Sequence, residues 1–239
     1  MIDWHSHILP GMDDGSRSVA ESLSILKMMC EQGIDIVVAT PHFYANDEAV
    51  DVFLERRKES YDQLLKHMSP DNPKLLLGAE VRYYQGISRM SDLNRLCIQG
   101  SKLFLLEMPF SKWTEYTVRE LVELAGSKNL TVVLAHIERY LKFQSRSVWD
   151  RLYESGILMQ VNANFFADIT TRRKALSLLK NNAVHLVGSD SHNTTSRTPR
   201  MAKAFEVVQK KMGKDFIAQM NEYSYSVMQK NIKNFIMEG

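Results

Sequence analysis

Seven short apolar runs, each followed by an amphipathic stretch, set the narrowest limit on what this chain can fold into. They are Met1–Trp4, Asp35–Ala39 (DIVVA), Lys74–Ala79 (KLLLGA), Leu103–Leu106 (LFLL), Thr131–Ala135 (TVVLA), Leu158–Asn162 (LMQVN) and His185–Gly188 (HLVG). None alternates apolar with polar, so they read as strands buried on both faces of a parallel arrangement. The stretches between them carry helical signals. Ser18-Val-Ala-Glu21 is a capping box ahead of Leu23, Leu26 and Met29, with Gly33 as a stop. Asp47–Met68 has a stripe of Phe53, Leu54, Tyr61, Leu64 and Leu65. Thr117–Glu120 caps a helix ending at Gly126, Ser147–Asp150 one ending at Gly156, and Thr171–Lys180 and Arg200–Met212 complete the series. No linker, repeat or low-complexity segment interrupts it. The pattern predicts an α/β fold in a single domain over 1–239, a barrel distorted from the eight-stranded standard. An open doubly wound sheet is the alternative.

Either architecture places its site at the C-terminal ends of the strands, and there the reactive side chains fall. His5 and His7 end the first run, His42 the second, Glu80 the third, Glu107 the fourth and His136 the fifth. Asp190 and His192 follow the last. Asp13 and Asp14 lie in the loop after the first, where Gly11 and Gly15 permit tight turning. Taken singly these are weak signals: with seven histidines in 239 residues, about 0.2 His-x-His matches arise by chance. A histidine after a strand is more often structural than a ligand, and an acid there is commonly solvated loop. The concentration is what coincidence does not supply, since five of the seven histidines stand at strand ends.

A histidine and carboxylate set without thiolate suits Mn, Fe or Zn and not a closed cysteine-rich zinc site. The ligands are too numerous for one ion, which predicts two or three, with a carboxylate such as Glu80 bridging. Paired ions generate hydroxide at neutral pH and clamp both oxygens of an in-line displacement. Arg139 and Arg197 follow His136 and His192 closely and are candidate phosphate clamps, surface salt bridges being the plain alternative. Neither Cys30 nor Cys97 begins a C-x5-R phosphate loop, because Ile36 and Leu103 hold the arginine position. Net charge is only +2 and no Lys/Arg run occurs, which gives nucleic-acid binding no electrostatic basis. No apolar run spans a membrane, Asp3 and His5 interrupt any secretory leader, and two distant cysteines suit a reducing cytoplasm.

The stretches DWHSHILPGMDDG, ATPHF, GAEV, LLEMPF, AHIERY and GSDSHNTTSR, spanning residues 3 to 197, resemble the PHP (polymerase and histidinol phosphatase) superfamily. Within it they resemble the CpsB/CapC-type bacterial protein-tyrosine phosphatases of capsule and exopolysaccharide loci. Many relatives have proline where Ile137 stands, a position that is not a ligand. The resemblance implies a distorted (β/α)7 barrel of the PHP type with three ions, usually manganese. It implies that His5, His7, Glu80 and Asp190 hold the first, and that Glu80 bridges to a second completed by Glu107 and His136. Asp14, His42 and His192 would hold the third, and Asp13 would support the loop. The implied activity is direct hydrolysis of phosphotyrosine by a metal-bound hydroxide, with Glu80, Asp190, Arg139 and Arg197 as the catalytic set. The implied substrate is the tyrosine-rich tail of a bacterial tyrosine autokinase. A PHP phosphoesterase acting on a small molecule such as histidinol phosphate is the nearest alternative. An amidohydrolase is disfavoured by Glu80 and Glu107 in place of a bridging lysine, and a phosphotyrosine-docking module by the full ligand set. Tyr83, Tyr84, Phe110, Trp113 and Phe165 stand near strand ends, where rim and packing roles compete.

Overall fold

The computed structural model describes residues 1–127 and 130–232. In chain order they form β1 (Ile2–Ser6), α1 (Val19–Glu31), β2 (Ile36–Ala39), β3 (His42–Phe43), α2 (Val50–Leu65), β4 (Lys74–Leu77), β5 (Glu80–Arg82) and β6 (Leu103–Glu107). There follow α3 (Glu115–Ser127), β7 (Thr131–Leu134), α4 (Arg146–Glu154), β8 (Leu158–Asn162), α5 (Ala163–Ala167), α6 (Ile169–Lys180), β9 (Leu186–Gly188), α7 (Met201–Met212) and α8 (Lys214–Asn231).

All strand pairs are parallel, in the orders β1-β2-β4 and β3-β5-β6-β7-β8-β9. Two of the seven expected runs are each split in two. Pro41 has no N–H to give the ladder, so the second run breaks into β2 and β3, and the third breaks opposite it at Gly78. Hydrogen bonds carry across the breaks, Gly78 N–H donating to Ala39 O at 2.8 Å and Glu80 N–H to Pro41 O at 3.0 Å. Each split pair is therefore one pass, and seven passes result. The ring closes where His7 N–H donates to Ser191 O at 2.9 Å and Asp190 N–H to His5 O at 2.8 Å. The fold is a distorted (β/α)7 barrel.

Ile2, Trp4, Ile36, Val38, Leu103, Leu105, Val133 and Ala135 form one buried cluster, completed by Val227 and Met228 of α8. The Trp4 indole donates to Ser224 Oγ at 2.6 Å, tying α8 across the end of the barrel away from the catalytic-type side chains. The outward residues of the strands pack on the helices, as Val37 and Ala39 do with the fully buried Ile25, Leu26 and Met29 of α1. Each of those side chains contributes about 1.5–3 kcal/mol by transfer from water.

Helix starts differ from the sequence reading: α2 begins at Val50 and not Asp47, α6 at Ile169 and not Thr171, and two caps move. Thr114, not Thr117, caps α3: its Oγ1 accepts from Thr117 N–H at 3.1 Å. Ser145 precedes α4, two residues ahead of Ser147. The short α5 and, beyond Arg200–Met212, the whole of α8 add to the series. Cys30 and Cys97 are both free thiols. Among the described residues no helix is long and apolar enough to cross a membrane.

Candidate metal centre

All nine residues picked out as candidate ligands converge at one end of the barrel, with Glu80 as their hub. Glu80 Oε2 lies 3.2 Å from His5 Nε2, 3.2 Å from His7 Nε2 and 3.1 Å from His42 Nδ1. Its Oε1 lies 2.8 Å from His136 Nε2, which is also 3.5 Å from Glu107 Oε1. Asp190 Oδ1 is 3.8 Å from His5 Nε2 and 3.6 Å from His7 Nε2. Asp14 Oδ1, on the exposed loop after β1, is 3.3 Å from His192 Nε2 and 3.6 Å from His42 Nε2. Three ligating groups emerge, each with its donor atoms within 4.8 Å of one another: His5–His7–Asp190, His42–Glu80–Glu107 and His7–Asp14–His42–His192.

The donor set fits divalent cations on its own chemistry. Four histidines are tied from behind through Nδ1, leaving Nε2 to face the cluster. Asp13 Oδ2 lies 2.7 Å from His7 Nδ1, Gln160 Oε1 3.3 Å from His5 Nδ1, Tyr140 Oη 3.2 Å from His136 Nδ1 and the Asp190 carbonyl 3.0 Å from His192 Nδ1. His42 Nδ1 and His192 Nε2 are buried and face Glu80 and Asp14 without making a well-formed hydrogen bond, as lone pairs directed at a cation would be. Burial opposes ionisation of Glu80 and Asp190, but the facing His5 and its neighbours outweigh it and hold both carboxyls well below the usual range. His192 is pushed down to about 4 by burial and by His7, so it is neutral near pH 7. Burial also disfavours the His7 imidazolium, yet Asp13 raises it overall; a cation binding there displaces a proton.

Local backbone geometry explains how one short strand aims two ligands. Asp3 pairs with Val37 but Ser6 with Ala39, so β1 carries a bulge. Trp4 and His5 therefore depart from strict alternation, letting Trp4 stay in the apolar cluster while His5 joins His7. His136 (φ 33°) and Asp190 (φ 51°) hold left-handed conformations that cost a non-glycine residue about 1–3 kcal/mol. At Gly15 the issue is space, since a Cβ there would stand 2.2 Å from His7 O and 2.5 Å from His7 Cβ. Gly15→Ala is expected to displace the Asp13–His7 pair and weaken metal binding roughly 10–100-fold. Calorimetric metal titration checks this; wild-type affinity in the variant would show that the pair does not position His7.

Both arginines singled out in the sequence reach the same carboxylate. Arg139 Nη2 donates to Asp190 Oδ2 at 2.5 Å and Arg197 Nη2 to Asp190 Oδ1 at 2.7 Å. Two further contributors escaped the sequence reading. Arg82 Nη1 donates to Glu107 Oε2 at 2.6 Å, and Asn162 Nδ2 to Asp190 Oδ2 at 2.8 Å. Arg82 stands two residues after Glu80 on one strand, and Gln160 and Asn162 are polar interruptions of a buried one; both patterns are visible in the sequence. Of the five aromatics proposed for the rim, Trp113 and Phe165 are buried, and Tyr83 and Tyr84 pack half-buried against the core. Only Phe110 is exposed. Tyr44, also exposed, lies beside His42 and was not foreseen.

A seven-pass parallel barrel with histidines and carboxylates gathered at the C-terminal ends of its strands defines the PHP type of α/β protein. Its family is narrower. Residues 1–230 match the family described as capsular polysaccharide synthesis, CpsB/CapC, and the chain belongs to that family. It is 31% identical over 233 residues to the tyrosine-protein phosphatase YwqE of Bacillus subtilis, covering 93% of this chain and 89% of YwqE. It is 30% identical over 233 residues to the tyrosine-protein phosphatase CpsB of Streptococcus pneumoniae, covering 89% and 91%. A chain from the crystal structures of YwqE from Bacillus subtilis and CpsB from Streptococcus pneumoniae, unique metal-dependent tyrosine phosphatases, superposes with a TM-score of 0.82 at 27% identity, covering 98% of this chain and 96% of that one. The fold alone is shared with histidinol phosphate phosphatase from Lactococcus lactis subsp. lactis, at 15% identity and a TM-score of 0.54 over 87% and 92% of the two chains.

Proposed function

We propose that the chain is a single-domain, metal-dependent protein-tyrosine phosphatase that hydrolyses phosphotyrosine on a bacterial tyrosine autokinase serving capsule or exopolysaccharide synthesis. It would act in the cytoplasm. The observation that carries this is the junction at Asp190, where two guanidinium groups meet a cluster of nitrogen and oxygen donors centred on Glu80. Manganese suits that donor set, in two or three ions, with iron or zinc as substitutes. His5, His7, Glu80 and Asp190 would hold one, Glu80, Glu107 and His136 a second, and Asp14, His42 and His192 a third. When bound, such ions supply the Lewis acidity that makes water nucleophilic at neutral pH and offsets phosphoryl charge.

The protein's own groups supply the rest. Arg139 is held by Asp190, and Arg197 by Asp190 and, at 3.5 Å, by Asp14; both guanidinium groups would pair with phosphoryl oxygens, where charge builds as the reaction proceeds. The oxygen of water bonds to phosphorus as the bond to the tyrosine oxygen breaks, giving inorganic phosphate and tyrosine. A phenol of pKa about 10 leaves without strong acid assistance, so no dedicated proton donor is required. A thiol route has no support: burial pushes the Cys97 thiol up to about 12, and Cys30 lies on α1 with its Sγ 3.2 Å from Asp71 O. Names of the relatives as tyrosine-protein phosphatases favour the aryl substrate over histidinol phosphate. Comparing kcat/KM for a phosphotyrosine peptide and for histidinol phosphate tests the choice. At least about tenfold preference for the peptide is expected; the opposite preference would overturn it.

A further inference from the structure

Phe110 is a large apolar side chain left 43% exposed beside a cluster of charged groups. It follows Glu107 on the turn after β6 and stacks at 21° on Tyr140, with centroids 5.8 Å apart. Its centroid is 6.0 Å from that of His136. The guanidinium carbons of Arg82 and Arg139 lie 5.3 and 5.7 Å from the ring centre. Those arginines are anchored on Glu107 and Asp190, at two edges of the donor cluster. The ring is thus fixed in place by Tyr140 and two cations, yet part of its surface remains open to solvent. Of the exposed large hydrophobic side chains, Tyr44 also borders the cluster, its ring 5.3 Å from His42.

We infer that Phe110 is a specificity-determining residue: it receives the aromatic ring of an aryl phosphate whose phosphoryl group lies between Arg139 and the donor cluster. This rests on the tyrosine-phosphatase reading above and assigns the residue that makes the site prefer aryl esters. Aromatic rings gain from offset or edge-to-face contact at centroid separations of about 4.5–7 Å, beyond the gain from burial alone. A phosphoryl group held by Arg139, whose guanidinium carbon is 5.7 Å from the Phe110 centroid, would bring a ring joined through one oxygen toward the open part of that aromatic ledge. An alkyl ester offers no face to the ledge, so the site discriminates by what it covers and not by what it excludes.

The test pairs binding with turnover in manganese-loaded protein. Phe110→Ala is expected to lower the ratio of affinities for phenylphosphonate over methylphosphonate about tenfold. The same variant should lower the ratio of kcat/KM for phosphotyrosine over phosphoserine peptides by a similar factor, chiefly through KM. Phe110→Tyr should restore both ratios, whereas Phe110→Leu should not. Unchanged ratios in Phe110→Ala would overturn the inference, as would an equal loss for aryl and alkyl ligands, which is what a merely structural role predicts. Wild-type protein that prefers phenylphosphonate but hydrolyses no phosphomonoester would sink the phosphatase reading and leave the ledge standing.

Discussion

Asp190→Asn is expected to reduce phosphotyrosine hydrolysis by on the order of 10³-fold while the protein remains folded. The amide has the shape of the carboxylate but lacks its charge, and the position is the most heavily used in the site. One oxygen accepts from Arg139 and Asn162, the other from Arg197, and it faces His5 and His7 within 3.8 Å. In the variant, one amide NH2 must point at a donor, so an arginine or Asn162 is released. The loss therefore falls on metal affinity and on phosphate orientation together. Metal content by elemental analysis and kcat/KM across a manganese titration separate these contributions. Activity within tenfold of wild type at saturating manganese would remove Asp190 from the catalytic set.

Stripping the metal is expected to abolish turnover and to lower the melting temperature, both reversed by added manganese. A ligand at a hundredfold excess over its Kd stabilises the native state by about 2.7 kcal/mol, and several ions bind cumulatively. Magnesium and calcium should restore less, because hard cations favour all-oxygen shells and five imidazoles contribute here. The chelated protein should bind manganese less well as pH falls, because protons held by His7 compete with the cation. Full activity in protein shown to be metal-free would end the metal reading outright. An unchanged melting temperature would confine the ions to chemistry alone.

What could be read from residue order alone follows the reach of each signal. Seven apolar runs became seven passes because burial on both faces leaves an unmistakable local mark. The convergence of strand-end side chains was legible for the same reason: parallel topology gathers whatever follows the strands. Other features depend on partners distant in sequence. The breaks at Pro41 and Gly78 sit side by side only once β2 lies on β4. The β1 bulge exists only against β2, and Arg82 takes its meaning from Glu107, 25 residues away. Caps shifted by two or three residues at α3 and α4 because several Ser and Thr candidates compete within one turn. Trp113 and Phe165 looked like Phe110 by position, and only packing distinguishes them.

The join between β1 and the segment after β9 bears on how the protein is made. Its two sides lie more than 180 residues apart in sequence, so β1 leaves the ribosome well before the segment it pairs with. During synthesis His5 and His7 wait, exposed, through more than 180 residues before Asp190 and His192 arrive. A nascent chain cut short of Asp190 offers an isolated histidine pair, which holds a cation far less firmly than the assembled set. A cation that needs the full set would therefore bind only after the segment following β9 has been made, and a stalled fragment would carry the opening motif without its partners.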